Sequence, residues 1–345
     1  MLVTSPPSQG LRRWRLATLL GLLLIVGPLL AMLPYLASGT EAVRLRNALL
    51  LAEDLSAPPD WTPPNWPAGF LQESAVPDPY FVAVAQRLQL AALPDDWAKA
   101  LAISAHLLGS HAELGGGAIQ GSLVATHRAI VERGDGYCAD FVRAFNAIAA
   151  ASGLQVRSWA FSFDGFGGHG HVWSELWNRQ RQRWQLIDVF DNFYFVDGSD
   201  EPLSALEFRK ALSAGSASLA YRPLYAAARP GYEIPAKAWD YFRRGLPEWY
   251  LWNGNNVFAY DASPLVRSFE GKSRAAAQFG AIYAGVHPAL RMLATPANQA
   301  QRERMRALHW QLVISAWLAA LGLVLTLLCA LGWWRSRRAL ALEIR

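Results

Sequence analysis

Cysteine is nearly absent. The 345 residues hold two, Cys138 and Cys329, and the second falls inside a long apolar run. A pair so placed cannot bridge, so a disulfide framework is excluded, and so is a multi-cysteine zinc site. Charge is sparse as well, at 17% against 52% hydrophobic residues. The glycine-rich stretch Leu114–Gly121 lacks the lysine and hydroxyl of a phosphate loop. No internal repeat and no nucleic-acid motif is present, and nucleic acid is not expected as a partner. The net charge of +5 partly reflects arginines beside the apolar runs and suits membrane lipid of anionic type.

What the sequence has in excess is hydrophobic length at both ends. Leu16–Leu36 is 21 residues without a charge, preceded by Arg12, Arg13 and Arg15. Leu312–Trp334 is 23 residues without a charge, followed by Arg335, Arg337 and Arg338. Each is long enough for a hydrocarbon core of about 30 Å. The first run exceeds an ordinary signal-peptide core and lacks a small-x-small exit, so it reads as an uncleaved anchor. Basic residues at both outer ends place both termini in the cytoplasm and residues 40–308 outside the inner (plasma) membrane. Arg302, Arg304 and Arg306, on the other flank of the second run, oppose that assignment.

Between the runs, the stretch Gly134–Asp188 carries the chemistry. Gly134 and Gly136 lead into Cys138. Phe141, Ala144, Phe145, Ile148 and Ala149 then recur at helical spacing, and Gly153 supplies a stop. Cys138 therefore falls in a helix's first turn, where free N–H groups and the positive dipole end favour thiolate. Residues 171–177 and 182–188 read as two strands around the polar Asn178–Arg181. A four-residue loop between them sets His171 opposite Asp188, Trp173 opposite Leu186 and Glu175 opposite Trp184. A carboxylate so placed holds one imidazole nitrogen and leaves the other for a thiol. Cys138, His171 and Asp188 then make a catalytic triad. His169 shares the strand parity of His171, and Asp191 is a rival orienting acid.

These residues resemble a known family. Gly136-Tyr137-Cys138, His171-Val172-Trp173 and Trp184-Gln185-Leu186-Ile187-Asp188 are similar to the transglutaminase-like core of the papain-like cysteine enzymes. Asp95–Ile103 resembles the helix that precedes that core. The resemblance covers about residues 94–200 and implies acyl transfer through a thioester on Cys138. His171 would serve as base then acid, and Asp188 as orienter. Animal members use calcium; the acidic loop for it is missing here, so no metal and no cofactor is expected. The Cys138 N–H is the natural first oxyanion donor, with Gln120 and Tyr137 considered for the second.

The remaining segments frame that core. Thr40–Leu55, Tyr80–Leu93, Pro94–Leu108 and Leu123–Glu132 read as helices. Residues 56–79, with seven prolines, read as an extended spacer. His106 and His111 lack a third ligand at metal spacing. Val156–Phe163 reads as a strand, Asp164–Gly168 as a flexible turn, Leu203–Leu212 and Phe269–Arg306 as helices. Trp239, Tyr241, Phe242, Trp249, Tyr250, Trp252, Phe258 and Tyr260 form an aromatic stretch that packs on the core, lies at the membrane interface or stacks on sugars.

The expected fold class is α+β, a papain-like transglutaminase core of a Cys-bearing helix on an antiparallel sheet between two transmembrane helices. The expected organisation is a tail 1–15, span 16–36, lead-in 40–93, core 94–200, aromatic extension 201–308, span 312–334 and tail 335–345. The expected activity is that of an extracytoplasmic peptidase, amidase or transglutaminase, with a peptide or protein amide as substrate. The alternative is a catalytically quiet scaffold whose partners are envelope polysaccharide or assembly proteins.

Overall fold

The computed structural model describes residues 7–56, 59, 61–109 and 115–343. In chain order, the first elements are helices α1 (Pro7–Leu36), α2 (Gly39–Leu49), α3 (Pro79–Arg87), α4 (Asp96–Leu108), α5 (Leu123–Arg133) and α6 (Cys138–Ala151). Strands β1 (Val156–Ser162), β2 (Gly170–Asn178), β3 (Arg183–Ile187) and β4 (Phe193–Asp197) follow, then α7 (Ala205–Ala214) and β5 (Leu219–Pro223). The remainder is α8 (Pro235–Gly245), β6 (Glu248–Asn253), α9 (Val257–Ala262), α10 (Pro264–Ser268), α11 (Arg274–Tyr283), β7 (Ala289–Met292) and α12 (Gln299–Glu343).

The chain forms two compact units, one of residues 1–45 with 306–345 and one of Arg46–Met305. In the first, α1 and the outer part of α12 are long and apolar enough to cross a membrane. Leu19, Leu23, Leu30, Trp317 and Leu328 are all more than half exposed there, as lipid-facing side chains would be. The two helices run antiparallel and meet closely. A Cβ on Gly21 would overlap Thr326, and one on Gly332 would crowd Trp14. Small residues allow such an approach where no hydrophobic effect drives helices together.

The second unit is built on an antiparallel sheet of order β3-β2-β1-β6-β7, with β4 and β5 pairing separately. One face carries α3–α6, through Phe141, Phe145, Ile148, Leu176 and Ile187. The other carries an aromatic core that includes Trp159, Phe161, Trp173, Phe208, Phe242 and Trp249. Strands from residues 201–308 thus complete the sheet begun by residues 94–200. Trp249 and Phe242 are completely buried, which assigns those two rings of the aromatic stretch to core packing.

Several sequence expectations move. The first helix after the anchor stops at Leu49, and Leu51 and Leu55 instead bridge to Leu290 and Leu293. Phe269–Arg306 is not one helix; β7 interrupts it because Leu290 and Met292 alternate into the core. Asp95, rather than Pro94, starts α4, its carboxylate accepting the Ala98 N–H at 2.7 Å. The proline-rich segment is laid along the domain, with Trp61 and Trp66 against Trp184.

Candidate active site

Topology brings the three site residues to one end of the sheet. Residues 152–155 join α6 to β1, and so short a link turns the chain back on itself. β1 pairs antiparallel with β2, and β2 with β3. The starts of α6 and β2 and the end of β3 therefore share an end. Side chains fix the height of α6 on the sheet. Asn146 donates to Ser158 Oγ at 3.0 Å and accepts from Ser174 Oγ at 2.7 Å. From that anchor Cys138 lies about 12 Å back along the helix and His171 about 10 Å back along the strand.

Two glycines make the approach. Gly136 has φ +111°, a conformation that L side chains rarely adopt, and it delivers Cys138 to the first position of α6. The helix start is locked by Asp140, whose Oδ2 accepts the Tyr137 N–H at 3.0 Å and whose Oδ1 accepts from Arg274 at 2.8 Å. At Gly170 a Cβ would overlap the Phe161 carbonyl, so the residue before His171 must be bare.

The β2–β3 register differs from expectation by two residues. Ser174 pairs with Ile187, Glu175 with Leu186 and Trp177 with Trp184, and the turn is Arg179–Gln182. A slip of two preserves the face that each side chain occupies. Hence His171 Nε2 still meets Asp188 Oδ2, at 2.8 Å. Asp188 lies just beyond β3, at the neck of a tight turn closed by its two backbone hydrogen bonds with Phe193, both 2.9 Å. That turn swings Asp191 back. Its N–H donates to Asp188 Oδ1 at 3.2 Å, and its Oδ2 stands 3.8 Å from His171 Nε2. Both carboxylates thus adjoin the imidazole, Asp188 more closely.

Glu175 does not pair with Trp184. It is wholly buried and accepts from Arg157, from Trp159 Nε1 at 2.9 Å and from the Ala205 N–H at 2.8 Å. It is a structural acid. Nor is the 164–168 turn loose: Glu248 accepts from Ser162 and from the Gly165 and Phe166 N–H groups, while Asn47 holds the Phe166 carbonyl. His169 is largely exposed, 3.4 Å from Asp164, and stays out of the cluster.

Electrostatics single out His171. Its burial opposes a charge, but the Asp188 carboxylate, Tyr241, Cys138 and the Asp188 hydrogen bond outweigh that and hold its pKa well above the ordinary value. Burial, then repulsion from Asp188, pushes the Asp191 carboxyl up to about 7. Tyr241, from α8, covers the imidazole and donates to the Gly170 carbonyl at 2.9 Å; burial pushes its phenol up to about 12. Cys138 is partly exposed and couples to His171 through charge, with no hydrogen bond between the two. Such bonds commonly tighten only with substrate bound.

Asp191 is only a rival to Asp188 in the sequence because it lies past the strand, and Tyr241, within the aromatic stretch, is not singled out there as a site residue. Gln120 accepts the Arg274 N–H at 2.6 Å. His106 meets His127, Nε2 to Nε2 at 3.0 Å, while His111 lies outside the described residues. Ligand atoms of His171, Asp188 and Asp191 all fall within 4.8 Å of one another, close enough to hold a cation. A metal there would bind the neutral imidazole and so compete with its proton.

In comparisons with known proteins, no family model, curated protein or solved structure matches this chain.

Proposed function

We propose that this chain is a membrane-anchored thiol enzyme with a transglutaminase-like, papain-like core that opens amide bonds in the cell envelope. One observation carries the reading: a buried imidazole, held through Nε2 by Asp188, shares an end of the sheet with the first turn of the Cys138 helix. The other ring nitrogen, Nδ1, remains for the thiol. An imidazole whose surroundings favour its protonated form is suited to a resting thiolate–imidazolium pair.

In this mechanism the Cys138 thiolate attacks the amide carbonyl carbon, and the Cys138 N–H at the helix start stabilises the oxyanion. His171 gives its proton to the departing amine as the C–N bond breaks, leaving an acyl thioester. Water, deprotonated by His171, then cleaves the thioester to acid and thiolate; an amine in its place gives cross-linking. Asp188 holds the ring tautomer throughout. Antiparallel packing of the two apolar helices supports both termini lying on one side, and the outer arginines favour the cytoplasm. The catalytic unit is then periplasmic or extracellular.

The scaffold alternative made the aromatic stretch a working surface. Trp249 is wholly buried, which removes that ring from such a surface, while Trp252 stays partly exposed against Arg46. The test is alkylation of Cys138 by iodoacetamide across pH in a Cys329→Ala background. Fast labelling well below about pH 8.5, the ordinary thiol value, and its loss in His171→Ala are expected. An ordinary thiol profile in both proteins would falsify the enzyme reading.

A further inference from the structure

The mechanism leaves unused a cation that is only partly exposed. Arg46, on α2, is held by neutral groups. Its Nε and Nη2 donate to Asn47 Oδ1 at 3.1 and 2.7 Å, and its Nη1 donates to Gln278 Oε1 at 3.2 Å. The guanidinium lies 5.2 Å from the centre of the Trp252 ring. Among the described residues no carboxylate stands within ion-pair distance of it, whereas nearby Arg274 has Asp140 at 2.8 Å and Arg143 has Asp261 at 3.5 Å. Arg46 keeps part of its surface open, so it is enclosed without being sealed.

A guanidinium has five N–H donors. Three are engaged here, which leaves one on Nη1 and one on Nη2. One N–H on each of the two terminal nitrogens, on a plane already held by two amide oxygens and an indole, can donate to a carboxylate's oxygens. Burying a cation without an opposite charge is unfavourable, and an incoming anion would relieve it. Burial lowers the Arg46 pKa, the Tyr250 and Tyr260 phenols oppose that, and Arg274 adds to it.

Position ties this residue to the nucleophile. Gln278 and Arg274 are four apart on α11, hence neighbours on one face. Gln278 holds Arg46; Arg274 holds Asp140, which locks the first turn carrying Cys138. Tyr250, one strand position pair from Trp252 at 5.6 Å, feels the charges of both Arg46 and Cys138.

We propose that Arg46, linked through α11 to the turn that carries Cys138, forms an anion-binding subsite that takes a carboxylate carried by the amide substrate. This rests on the thiol-enzyme reading and narrows its substrates to acidic amides.

The test needs no known substrate. Full-length protein in detergent, in the Cys329→Ala background, is alkylated at one pH with iodoacetate, which bears a carboxylate, and with neutral iodoacetamide. In Arg46→Met the iodoacetate rate should fall about tenfold, the effect of one nearby unit charge, while the iodoacetamide rate stays unchanged. Arg46→Lys, which keeps the charge, should retain most of the iodoacetate rate. Equal change with both reagents in Arg46→Met, or no change with either, overturns the subsite and leaves the thiol reading standing. Failure of both reagents to label the parent protein rapidly removes the thiol reading, and the subsite with it.

Discussion

Asp188 lies two residues out of direct opposition to His171, yet its Oδ2 takes the His171 Nε2 at 2.8 Å. Extending the β2–β3 register sets Asp188 against Trp173, so the bond is a diagonal one between neighbouring strands. This contact orients the ring and favours the imidazolium. Asp188→Asn should therefore lower amide-bond turnover by about 10³–10⁴-fold with little change in KM. Steady-state kinetics on a cleaved acidic amide would check it, and an unchanged kcat would contradict the orienting role.

Charge on His171 also contributes to stability, with a sign that follows from its raised pKa. Unfolded histidine titrates near about 6.5. The contribution is fully present below that value and fades as pH rises through the higher folded value. The urea midpoint of His171→Ala should lie furthest below wild type under pH 6.5, by roughly 3–5 kcal/mol for a broken buried pair. The gap should narrow in alkali. A gap independent of pH would show that the imidazole folds neutral.

Asp191, 3.8 Å from the same nitrogen, carries a carboxyl pushed up to about 7, by burial first and then by Asp188. Its ionisation adds a second negative charge beside the imidazolium. Asp191→Asn should lower the His171 pKa and erase an inflection near 7 from its NMR titration. Retention of that inflection in the variant would assign it to another group.

Trp249 contacts Trp173 at 5.1 Å between ring centres and is wholly buried. Trp249→Ala should cost about 3–5 kcal/mol as a core truncation, read by urea unfolding. A variant of wild-type stability that had lost only ligand binding would reverse the assignment to the core.

Much of the site was readable in the residues themselves. Cys138 begins a helix because Gly136 permits the turn into it and an apolar face follows. His171 lies on a strand because Val172, Trp173 and Trp177 favour extended backbone and the polar Asn178–Arg181 follows. Two charge-free runs are long enough to cross a bilayer whatever the rest of the chain does. Each of these is a local consequence of backbone conformation or of side-chain period.

Other features needed the folded chain. Alternation in a strand fixes which face a residue occupies but is blind to a slip of two, so the hairpin register was settled by where the turn closed, at Arg179–Gln182. Insertion of β6 beside β1, about 90 residues downstream, could not be read from either strand, because pairing partners leave no local mark. Asp191 and Tyr241 reach the site through a tight turn and a distant helix. The sequence determined the helix start at Cys138, the strand at His171 and the apolar spans through local residue pattern. The tertiary structure decided which acids and which phenol surround the imidazole, since electrostatic environment is a property of proximity in space.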